Sequence, residues 1–260
     1  MSIVRIVMSF AAYVGVQLLS AAVTGSTVHA AIVGALVVII FIPVYFRLGR
    51  GKQYGRNGHT PADRSSVMML WVSSTLLPIW FAGQLLAVMT WQLWPETHVG
   101  YDLHNQQLQA TPTAVMLTLT LVLAPVAEEL LFRGVLYREL GHGMGLPSVI
   151  AALLSAVIFS VVHGNVVQFT ATLMFGVLLA FSYELTKWIW VPIAMHISFN
   201  LLSTFVPVSV VQEFLTPIPV TMVLIVAVFA LLALGLRIAM NAKAGLPAPA
   251  AHRPGNAQRR

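Results

Sequence analysis

This chain of 260 residues has no cysteine, and charged residues make up only 8% of it. A soluble domain carries about 25%. The missing cysteines exclude thiolate nucleophiles, Cys-ligated metals and disulfides. Acidic residues number eight, and the aspartates, Asp63 and Asp102, both fall between apolar runs. An intramembrane aspartyl dyad is therefore excluded. The sequence also lacks H-E-x-x-H, the pair of ligands on a zincin helix. It lacks G-x-S-x-G, the setting of an elbow serine nucleophile.

What fills the chain instead is apolar. Hydrophobic residues make up 58% and the mean hydropathy is +0.85. The fold class expected is all-α: a polytopic transmembrane helix bundle of about eight spans, at ~20 residues each. Apolar runs predict helices over about 3–24, 28–46, 67–91, 113–140, 148–163, 166–186, 188–206 and 220–240. The first 31 residues have features of a signal peptide. A second apolar run follows at once and the first is long enough to span, so we read a retained helix.

The net charge of +6 does not indicate nucleic acid. The basic residues sit in short loops and in the C-terminal tail, a pattern that sets orientation in a membrane. With Arg5 and the N-terminus in the cytoplasm, eight crossings place the Arg47–Ser65 loop, Arg138, Lys187 and the basic tail inside. The loops near Gly25, Gln92–Pro112, Gly164 and Pro207–Pro219 carry no Lys or Arg and fall outside. Both termini are thus expected in the cytoplasm of a multi-pass protein, with the plasma membrane as its site. Residues 1–112 form three N-terminal helices and their loops, 113–206 the core of four helices, and 207–240 the last helix. Residues 241–260 form a basic tail rich in Pro, Ala and Gly, read as disordered.

Against this background, polar residues inside the apolar runs carry weight. A charged side chain at the bilayer centre costs at least about 2.5 kcal/mol and is usually functional. Glu128, Glu129 and Arg133 lie inside the fourth run. Glu129 and Arg133 are four apart, on one helix face, and are expected to pair. Glu128 points about 100° away. It is left in a low-dielectric site as the carboxylate free to take a proton from water. Phe159-x-x-x-His163 and His196-x-x-x-Asn200 occupy two further runs at the same helical spacing. Imidazoles bind metals, hold water or donate to an oxyanion, and Asn200 adds a neutral donor. At 1.5 Å per residue, Glu128, His163 and His196 lie about 18, 24 and 12 Å from the cytoplasmic ends of their runs.

Each residue also has a plain structural reading. A Glu–Arg pair serves as a buried lock, and a lone His in an apolar helix as a packed core residue. His29 and His98 take that reading. Glu184 and Lys187 are expected to pair at i,i+3, and Gly141, Gly143 and Gly145 to form a turn. Three constellations in three separate runs favour a site over three coincidences. A non-catalytic scaffold or a transporter with a buried polar network is the alternative.

The three motifs in order, E-E-x-x-x-R, F-x-x-x-H and H-x-x-x-N, resemble those of the CAAX prenyl protease and bacteriocin-processing (CPBP) membrane proteases. The resemblance covers about Thr113 to Thr204. It implies an intramembrane endopeptidase that opens to the cytoplasm and cuts peptide or protein substrates at the lipid bilayer, either CAAX-like or leader-like. By this resemblance Glu128 activates water with His163 beside it, while His196 and Asn200 stabilise the oxyanion. The family is often described as metalloproteases, and a metal-free glutamate mechanism has also been argued. Glu128, His163 and His196 would supply a two-His, one-carboxylate zinc set. We read glutamate-activated water, with zinc optional.

Overall fold

The computed structural model describes residues 2–48, 62–206, 208, 210 and 211. Among them lie eight helices of 12 residues or more and no strand. These are α1 (Ser2–Thr24), α2 (Thr27–Leu48), α3 (Ala62–Leu93) and α4 (His98–Gln109). They continue with α5 (Thr113–Gly143), α6 (Ser148–Val161), α7 (Val166–Thr186) and α8 (Trp190–Phe205). Among the described residues four segments are long and apolar enough to cross a bilayer: Ser2–Thr24, Ser74–Leu93, Thr113–Gly143 and Val166–Thr186. Thr27–Pro43 and Ser148–Val161 are shorter apolar helices. The protein is an integral membrane helix bundle.

Seven of the eight expected helices fall among the described residues, and α4 is an addition to them. The Gln92–Pro112 stretch, read as a loop, contains α4. Its sequence HVGYDLHNQQLQ is polar, so a search by apolar run length passes over it. α4 is held by an edge-on contact of Tyr101 with Trp91, 5.8 Å between centroids. The expected span over 220–240, the tail, and residues 49–61 of the basic loop lie outside the described residues. Gly141 and Gly143 remain helical, and the turn is made at Gly145, with φ of 75°.

α5 is the axis of the bundle. From Leu131 to Tyr137 seven consecutive residues are buried, so every side of the helix meets protein there. Phe132 meets Phe10 of α1 edge-on, 5.4 Å away. Arg5 of α1 pairs with Glu139 at 3.1 Å. Ser155 of α6 donates to the Phe132 carbonyl at 3.3 Å. α1, by contrast, buries none of its residues and presents Ile3, Val4, Val7 and Met8 outward, as a lipid-facing helix does.

Small residues let the helices approach closely, the usual device where lipid leaves no hydrophobic drive for helix association. A Cβ on Gly83 of α3 would lie 2.6 Å from the Ala171 carbonyl oxygen of α7. A Cβ on Gly176 of α7 would lie 3.1 Å from Ala156 of α6 and 3.2 Å from the Phe159 ring. Gly176 thus brings the α7 backbone against α6 beside the polar residues of α5.

α5 is not a regular helix. It winds in π geometry at Leu119–Leu123, Leu130–Tyr137 and Glu139–Gly143. The Ala124 N–H bonds to Leu119 O, five residues back. Pro125 follows. It has no N–H, and its ring crowds the carbonyl four residues earlier. A widened turn relieves that crowding, and such turns concentrate at functional sites.

Candidate active site

The acidic pair sits between the first two π stretches, on Ala124–Glu129. Arg133 and Glu129 are both fully buried and pair at 2.9 Å. The second arm of the Arg133 fork donates to Gly176 O at 2.9 Å. Its guanidinium also stands 4.7 Å from the centroid of the Phe159 ring. A planar fork spanning two acceptors on different helices is a task for Arg rather than Lys. The expected ion pair is therefore present, and it ties α5 to α7.

Glu129 does more than hold Arg133. Its Oε1 also accepts from His196 Nδ1 at 2.8 Å. A carboxylate facing a guanidinium can only accept, so the Nδ1 of His196 carries the proton. Nε2 is then turned to the other glutamate, with Glu128 Oε2 3.8 Å away. His196 bridges the pair. Glu128 is the more open of the two, its side chain 19% exposed against 0% for Glu129. Glu129 Oε2 and Arg133 Nε are buried with no hydrogen-bond partner among the described residues.

Both histidines pack against Phe159. That ring meets His163 edge-on at 4.9 Å and His196 at 5.6 Å. Phe175 packs on His196 from α7 at 5.4 Å. His163 Nδ1 lies 2.8 Å from its own helix carbonyl, Phe159 O. A carbonyl cannot donate, so Nδ1 is again the protonated nitrogen and Nε2 the free one. Asn200 is partly buried and donates from Nδ2 to Thr120 O at 2.9 Å.

The spread in depth read from the sequence is closed around Glu128, Glu129 and His196. A ring nitrogen of His196 faces Glu128 at 3.8 Å, and the hydrogen bond of His163 goes to Phe159 O. Among the described residues no three His, Asp or Glu side chains converge to hold a metal ion. Glu128, His163 and His196, the residues that would hold zinc, are not gathered into such a group in this arrangement. Phe175 and Gly176 escaped the sequence reading. A ring and a backbone carbonyl in an apolar run give no signal until the helices are packed.

Residues 110–202 match the family described as type II CAAX prenyl endopeptidase Rce1-like. All three motifs lie inside that segment. A curated relative, the provisionally named membrane peptidase YdiL of Bacillus subtilis (strain 168), is 26% identical over 169 residues. The alignment covers 63% of this chain and 66% of the relative, so the chain spans just under two thirds of it. No solved structure matches.

Proposed function

Taking residues 110–202 as a segment of the type II CAAX prenyl endopeptidase family, we propose that the chain is an intramembrane endopeptidase that hydrolyses peptide bonds with glutamate-activated water. The observation that carries this reading is the chain Arg133–Glu129–His196–Glu128, with steps of 2.9, 2.8 and 3.8 Å. Three of its members are buried, and only Glu128 is open enough to meet water.

Glu128 takes the proton from a water that attacks the substrate carbonyl. Arg133 and His196 hold Glu129 from two sides, which leaves the proton transfer to Glu128. Asn200 uses one Nδ2 hydrogen on Thr120 O. The second is free to donate to the oxyanion that forms. His196 Nε2 flanks the same carboxylate and adds a second donor whenever it carries a proton. His163, packed edge-on against Phe159, contributes an unprotonated Nε2. The substrates are peptides that enter the bilayer, with CAAX-like and leader-like segments as the two classes.

The test uses the full chain in lipid nanodiscs with two probes. One is a farnesylated peptide ending in a CAAX sequence, the other an unmodified apolar leader peptide. We expect wild type to cut at least one and Glu128→Gln to cut neither. Equal cleavage by both proteins would overturn the reading.

A further inference from the structure

The bond that Asn200 makes to Thr120 O depends on a peculiarity of α5. In a regular α-helix the Thr120 carbonyl accepts from the amide four residues on, that of Ala124. Here the Ala124 N–H donates to Leu119 O instead. The amide five residues on belongs to Pro125, which has no N–H. Thr120 is partly buried; its O is therefore left without either helical donor, and a carbonyl shielded from water without a partner is costly. Asn200 supplies the partner at 2.9 Å from α8.

This contact decides how the Asn200 side chain presents itself. Both ends of an amide have similar shape, and either can face a given point. A carbonyl oxygen accepts and cannot donate, so the nitrogen must face it. With one Nδ2 hydrogen fixed on Thr120 O, the second hydrogen has a defined direction. A donor meant for a developing oxyanion gains from being set in place before reaction.

We infer that Pro125 is a positioning residue. By keeping α5 in its widened turn it leaves Thr120 O free to orient the Asn200 amide as a donor. Pro125 is itself buried and acts through Asn200. With alanine at position 125 the amide returns. The helix can then recover its regular register, with Ala124 N–H back on Thr120 O, and Asn200 must share that oxygen. The inference rests on the peptidase reading, in which Asn200 faces the oxyanion.

The test is a double-mutant cycle on the full chain in nanodiscs, with the probe that wild type cleaves. Asn200→Ala is expected to lose about 10²–10³-fold in kcat, the usual effect of removing one oxyanion donor. Pro125→Ala is expected to lose about 10- to 100-fold in kcat with little change in KM, as a misplacement of ~1 Å does. The double variant should be no slower than Asn200→Ala alone, because Pro125 has nothing left to orient. Pro125→Gly, which also restores the amide, should behave like Pro125→Ala. Proline inside a helix is the costlier residue, so neither change is expected to unfold the protein. Multiplying losses in the double variant, or wild-type kcat in either single Pro125 variant, overturns the inference. Glu128→Gln runs alongside. If it cleaves like wild type, the peptidase reading itself has failed. If it is inactive and the cycle is still additive, only the role of Pro125 has failed.

Discussion

Replacing Arg133 with Met keeps most of the side-chain volume and removes the charge from the middle of the bundle. Two bonds disappear, at 2.9 Å to Glu129 and at 2.9 Å to Gly176 O. Each charge-assisted hydrogen bond contributes about 1.5–3 kcal/mol. Glu129 is then left buried without its guanidinium, and breaking a buried pair from one side costs about 3–5 kcal/mol. His196 still donates to the same Glu129 oxygen at 2.8 Å, so the loss should sit nearer ~3 than ~5 kcal/mol. The assay is denaturant unfolding in micelles followed by the fluorescence of the six tryptophans. Adding Glu129→Gln to Arg133→Met removes the stranded charge and should recover much of the stability, since neutralising both partners is far cheaper than removing one. Activity should return in neither. An Arg133→Met variant within about 1 kcal/mol of wild type, the range of an exposed pair, would refute the reasoning.

Other predictions probe the scaffold. Gly83→Ala places a methyl 2.6 Å from the Ala171 carbonyl, so α3 and α7 must move apart. The expected loss is about 1–3 kcal/mol, as for other overpacked sites, read as a lower melting temperature. Asn165 caps α7 by accepting from the Gln168 N–H at 2.8 Å. Asn165→Ala should cost about 1 kcal/mol in the same unfolding assay, while Asn165→Asp, which keeps the acceptor, should cost less. Glu128→Gln should leave stability near wild type, because its carboxylate is partly exposed and the nearest ring nitrogen, His196 Nε2, is 3.8 Å away, beyond hydrogen-bond distance.

Much of this was legible in the sequence because lipid makes the code strict. A run of apolar residues with a few polar ones inside announces both the helix and the site. The i,i+4 spacing of Glu129 and Arg133 predicts their pairing, and the same holds at i,i+3 for Glu184 and Lys187, found at 2.7 Å. Four things were hidden. α4 is polar and carries no span-length signal. The π turns of α5 have no signal in the sequence beyond the Pro125 that follows the first of them, and they shift which carbonyls are free. That His196 Nε2 faces Glu128 at 3.8 Å depends on how α8 packs against α5, a tertiary fact. Gly176 looks like any small residue in an apolar helix. Its meaning comes from the 3.1 Å clearance to Ala156 and from the carbonyl it offers Arg133.

In the proposed reaction Glu128 is the base of a peptide-bond hydrolase. The direct measurement compares the termini of membrane and secreted peptides in the native host carrying wild type or Glu128→Gln at matched protein levels. New termini are expected with wild type and should vanish with Glu128→Gln. Identical sets of termini from the two strains, with both proteins folded in the membrane, would contradict it.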